Sequence, residues 1–162
     1  MNVDRGANEV ELTIELNGRS RRAPIDPRAL LIEALRDAFG ATGAKIGCLN
    51  GDCGACTVMV DGQIVKSCLE LAISAEGAAV RTIEGISGNG GLTPIQQAFW
   101  DLQGFQCGFC LSGMLFSAED LLARNPNPTE AEIREAISGN LCRCTGYQHI
   151  VDAIAAVSRD DS

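Results

Sequence analysis

Apolar and polar residues alternate from Val10 to Leu16, with Val10, Leu12, Ile14 and Leu16 on one side and Glu11, Thr13 and Glu15 on the other. That period of two predicts a half-buried strand. Asn17-Gly18 is a hairpin signal, and Arg19–Ile25 is its returning strand. Asp26-Pro27 then predicts a helix start, with Leu31, Ala34, Leu35 and Ala38 at helical spacing and Gly40 as the stop. Residues 40–54 form a loop studded with Gly40, Gly43, Gly47, Gly51 and Gly54. A second hairpin follows, with a strand over 57–60, Asp61-Gly62 as the turn and a partner over 63–67. A further short strand is expected near 79–83. Two hairpins and a helix suggest a small mixed sheet of β-grasp type. Residues 85–91 (Gly-Ile-Ser-Gly-Asn-Gly-Gly) have the composition of a flexible linker and no phosphate-binding motif.

Beyond Gly91 the period becomes helical. Thr93-Pro94-Ile95-Gln96 and Thr129-Glu130-Ala131-Glu132 are capping boxes, and Thr145-Gly146-Tyr147-Gln148 reads as a third. Leu111, Leu115, Ala118 and Leu122 share one helix face, and Tyr147, Ile150, Ile154 and Val157 another. About four helices, a small bundle, are expected. The fold class is therefore α+β, with a sheet domain over 1–84, a linker over 85–91 and a helical domain over 92–162.

Of the 162 residues, 46% are hydrophobic and 21% charged, enough to bury a core in one compact domain or two very small ones. The formal charge of −8 argues against nucleic acid and anionic membrane as partners. No apolar run reaches the ~18 residues of a membrane span. The first residues form no apolar export signal, so a soluble, cytoplasmic protein is expected. The single histidine, His149, excludes a polyhistidine metal site and is read as an exposed residue of the last helix. Phe99 and Trp100 suit either the core or a docking surface.

The eight cysteines change the picture most. Cys48, Cys53, Cys56 and Cys68 form one quartet; Cys107, Cys110, Cys142 and Cys144 form another, with none left over. Reduced cytoplasmic thiols in quartets point to metal rather than disulfides. In the first quartet, x4 then x2 with a later fourth cysteine is the plant-type [2Fe–2S] spacing that serves as a standard example. Glycines at 47, 51 and 54 permit the bends, and loop amides can reach the sulfur atoms. Zinc sites more often pair C-x2-C elements. In the second quartet, C-x2-C and C-x-C spacing leaves zinc a real competitor. Cys107 and Cys110 precede one helix and Cys144 the expected last one, so two positive helix ends could face one anionic centre.

Lys45–Val58, Gln106-Cys107-Gly108-Phe109-Cys110 and Gly139–Tyr147 resemble the cluster motifs of the molybdenum hydroxylases, the xanthine dehydrogenase, aldehyde oxidoreductase and carbon monoxide dehydrogenase family. The resemblance runs from about Val10 to Ala156. It implies a ferredoxin-like β-grasp domain followed by a four-helix domain, and two [2Fe–2S] clusters held by the two quartets. It implies a small iron–sulfur subunit without catalytic residues of its own. The expected partners are a large subunit carrying the molybdopterin cofactor and a medium subunit carrying FAD, assembled as a dimer of heterotrimers. By the same resemblance Gln106 and Cys144 contact the pterin, the second cluster lies nearest molybdenum, and the first lies on the exit side. Arg143, between two ligands, could tune the cluster's charge or bridge an interface. After Cys110 the family often has Thr-Pro-Gly-Met, whereas here Leu111-Ser112-Gly113-Met114 stands. A free-standing two-cluster ferredoxin or redox sensor is the alternative function.

Overall fold

The computed structural model describes residues 9–87 and 90–159. Positions 88 and 89, the centre of the expected linker, lie outside the described residues, as do the first eight, where no export signal was read. Strands β1 (Val10–Leu16), β2 (Arg19–Ile25), β3 (Thr57–Val60), β4 (Gln63–Lys66) and β5 (Ala79–Arg81) form one mixed sheet in the order β2-β1-β5-β3-β4. β1 runs parallel to β5; the other neighbours are antiparallel. Both hairpin tips have positive φ at both central residues, 52° and 76° at Asn17-Gly18 and 48° and 81° at Asp61-Gly62. This is the turn whose twist matches paired strands. The Asn17 side chain also reaches across to Thr82, accepting from its N–H at 2.9 Å and donating to its hydroxyl at 3.0 Å.

Helix α1 (Leu31–Glu33) continues directly into a π-helical turn at Ala34–Ala38. The extra residue in that turn shifts the phase. Phe39 is buried and Ala38 exposed, the reverse of what regular helical spacing predicts. The helix also starts later than Asp26-Pro27. The Asp26 carboxylate instead caps a turn by accepting from Arg28 N at 2.9 Å, and Glu33 accepts from Leu30 N at 2.8 Å to close the true start.

Helices α2 (Pro94–Asp101), α3 (Leu111–Arg124), α4 (Glu130–Ile137) and α5 (Gln148–Arg159) follow. The capping boxes at Thr93 and Thr129 form as expected. The third does not. Thr145 donates its hydroxyl to Cys142 Sγ at 3.1 Å, Gly146 and Tyr147 take left-handed backbone, and α5 opens only at Gln148. One core lies between the sheet and α1, centred on Leu12, Ile14, Ile32, Leu35 and Val58. The other lies among the helices, centred on Phe99, Met114, Phe116, Ile133 and Ile150. Ile86 packs into the helical core, and Ile83–Gly85 is a 3-10 turn. The halves are clamped where Arg81 of β5 meets Glu119 of α3 at 2.6 Å and lies over the Phe116 ring. No helix among the described residues is long and apolar enough to cross a membrane.

Candidate metal centres

The first quartet sits on the loop between α1 and β3, with Cys68 just beyond β4. Arg36 anchors the approach by donating to the carbonyls of Thr42 and Ala44, each at 2.7 Å. Lys45 N then donates to Ala55 O at 2.9 Å, drawing the loop into a ring. Gly51 and Gly54, at φ 88° and 71°, make the bends. Gly47 is needed for space: a Cβ there would lie 2.7 Å from Cys53 Sγ. Cys48 Sγ faces the amides of Asn50, Cys53 and Asp52, which lower its pKa to about 6. Cys56 is buried and pushed up to about 11, chiefly by loss of solvation, and its thiol meets that of Cys68. The thiols therefore associate as two pairs, Cys48 with Cys53 and Cys56 with Cys68.

The second quartet follows the same scheme. Cys107 and Cys144 are exposed with their sulfur atoms 3.5 Å apart. Cys110 is the N-cap residue of α3 and is buried, its pKa pushed up to about 12 chiefly by desolvation. Its partner is Cys142. Burial pushes the Cys142 thiol up, but the Thr145 hydroxyl and the amides of Cys144 and Thr145 outweigh it and lower the pKa. Helix α3 begins at a cysteine, whereas α5 opens at Gln148, so the second helix end expected at this centre starts later than Thr145.

This arrangement fits two [2Fe–2S] clusters. The donor sets are all thiol, soft ligands suited to iron–sulfur chemistry. Each quartet divides into two pairs, as two bridged iron atoms need. Backbone amides already point at Cys48 and Cys142, and Gly47 leaves room beside Cys53.

The two quartets meet. Leu141 N donates to Cys53 O at 2.9 Å, so one hydrogen bond joins a cysteine of the first set to the neighbour of Cys142. Ser112 Oγ donates to Ala55 O at 2.9 Å, and Lys66 Nζ donates to the carbonyls of Gly51 and Gly139. Sequence reading did not assign Leu141, Ser112 or Lys66. The only signal was Ser112 itself, a hydroxyl where a proline is common. Gln106 and Arg143 are exposed beside the second quartet. His149 is exposed, with Nδ1 3.0 Å from Leu102 O. Phe99 is core, whereas Trp100 is 64% exposed.

Residues 14–81 match the 2Fe-2S iron-sulfur cluster binding domain family, and residues 82–155 match the [2Fe-2S] binding domain family. The small subunit of nicotine 6-hydroxylase from Paenarthrobacter nicotinovorans is 49% identical, over 95% of this chain and 93% of that one. Caffeine dehydrogenase subunit gamma from a Pseudomonas species (strain CBB1) is 45% identical, over 91% and 90%. A chain of the quinoline 2-oxidoreductase crystal structure from Pseudomonas putida 86 superposes with a TM-score of 0.91 at 45% identity, covering 94% of each chain. These relatives are subunits of oxidoreductases, which decides against the free-standing ferredoxin. The chain belongs to the family of small iron–sulfur subunits of the molybdenum hydroxylases, and it carries electrons within an oxidoreductase complex.

Proposed function

We propose that Cys48, Cys53, Cys56 and Cys68 hold one [2Fe–2S] cluster and Cys107, Cys110, Cys142 and Cys144 the other. The fold is then a β-grasp domain over 1–84 and a four-helix domain over 92–162, joined through 85–91. Bound in these sites, the clusters supply one-electron redox chemistry. The chain's own residues hold the thiolates in pairs, aim amides at them and keep water from their inner halves.

The supporting observation is the asymmetry of the second quartet. Cys107 and Cys144 lie open at the surface, whereas Cys110 is buried, and Leu141 beside Cys142 donates its N–H to Cys53 O. The open half, rimmed by Gln106, Leu141 and Phe109, suits a partner bearing the electron donor. That partner is a large subunit holding molybdopterin, with Gln106 and Cys144 against the pterin. The first quartet, rimmed by exposed Ile46, Leu49 and Leu69, suits the exit side, facing a medium subunit with FAD. The assembly is a dimer of heterotrimers in the cytoplasm.

Cys110→Ser tests this in the assembled complex. A harder oxygen ligand in a soft-ligand site removes the second cluster's iron. Steady-state turnover with an external acceptor should then collapse, while one turnover of bound substrate persists. His149→Ala should change neither. Full turnover after complete loss of that iron would overturn the relay assignment.

A further inference from the structure

Asn140 lies where three cysteine-bearing segments meet, and only 4% of its surface is exposed. Its backbone N–H donates to Ile137 O at 2.9 Å, ending α4. Its side-chain Nδ2 donates to Ser117 Oγ at 2.8 Å in the middle of α3. Its Oδ1 is buried and accepts from no N–H or O–H among the described residues. A buried amide oxygen left so costs stability unless something else faces it.

Two glycines do. A Cβ at Gly54 would lie 2.0 Å from Oδ1, and one at Gly113 would lie 2.2 Å from it. The hydrogens that glycine carries in those directions therefore point at the oxygen, forming weak Cα–H···O contacts. Gly54 stands between Cys53 and Cys56; Gly113 follows Cys110; Asn140 itself precedes Cys142. The backbones are pressed together at the same point, since a Cβ at Gly113 would also lie 2.4 Å from Gly54 O. No larger residue fits at either glycine without parting the two halves.

We propose that Asn140 is a positioning residue of the electron relay: its amide, wedged between Gly54 and Gly113, sets the separation of the two cluster sites. The Leu141-to-Cys53 hydrogen bond next to it depends on that wedge. The inference rests on the eight cysteines being the cluster ligands.

The test uses the assembled complex with Asn140→Ala, and Asn140→Ser as a gentler variant. Iron content is measured first. Magnetic coupling between the two reduced clusters is read by low-temperature paramagnetic resonance, and amide hydrogen exchange is read over peptides 51–56 and 139–144. The expected result is unchanged iron, an altered or smeared coupling, and exchange at Leu141 faster by about tenfold, as for loss of one buried polar contact. Asn140→Ser should shift both readouts in the same direction by less. A general loss of stability would lower the melting temperature without changing the coupling. If Asn140→Ala fails to load iron, the decision falls to Asn140→Ser. Wild-type coupling and exchange in an iron-replete variant would overturn the proposal while leaving the ligand assignment intact. A wild-type complex lacking two clusters would instead overturn the assignment beneath it.

Discussion

Gly47 shows how little room the first site leaves. With a Cβ 2.7 Å from Cys53 Sγ, an alanine there must push the thiol out of its pair. Gly47→Ala should therefore lose the first site's iron and keep the second's, about half the total. Metal analysis with paramagnetic resonance checks this, and a variant with full iron and both signals would contradict it. The proposed ligands were legible in the sequence because each cysteine falls into a quartet with a loop-like spacing. Asn140 was not, although it lies within a quoted motif. Its role depends on Gly54 and Gly113, distant in sequence, and periodicity does not register a side chain that packs against two backbones. Cys48 and Cys110 make the same point electrically. One thiol is lowered to about 6 by amides and the other raised to about 12 chiefly by burial, from identical side chains.

Elements built from local chemistry were read well. The hairpins at Asn17-Gly18 and Asp61-Gly62 and the caps at Thr93 and Thr129 need no distant partner. Elements whose ends depart from the commonest local pattern were misread. Thr145 gives its hydroxyl to Cys142 rather than to a helix end, and the π turn hands Phe39 the inward place expected for Ala38. The cap on α4 makes a direct prediction. Thr129 N donates to Glu132 Oε2 at 2.7 Å, and that bond, followed by one from the Thr129 hydroxyl, holds the Glu132 carboxyl below the usual carboxylate range. Its contribution is complete above the ordinary carboxylate pKa and is lost as pH falls through the lowered value. The melting temperature of Glu132→Gln should therefore lie below wild type at neutral pH, and the gap should close in acid. A gap that does not change with pH would refute the carboxylate's part. Thr129→Ala should cost ~1 kcal/mol, read by denaturant unfolding.

The whole molecule is two cores that meet through apolar contacts of Met59 and Ile64 and through polar ties. Arg81–Glu119, Ser112–Ala55, Leu141–Cys53 and Lys66–Gly139 cross from the sheet half to the helical half. All but the first grip the cysteine loops themselves, while Met59 of β3 and Ile64 of β4 pack against the helical core. Such placement suits a chain that carries electrons within an oxidoreductase complex. The exposed half of the second quartet and the apolar rim of the first leave two faces for partners. Expressed without those partners, the chain should lose iron or aggregate, since apolar faces of this kind are rarely left bare. The most direct measurement is iron and sulfide analysis of the purified complex, combined with a reductive titration followed by paramagnetic resonance. About four iron atoms per chain and two distinct signals, appearing separately as the potential falls, are predicted. One signal with about two iron atoms per chain, or stoichiometric zinc, would contradict the account.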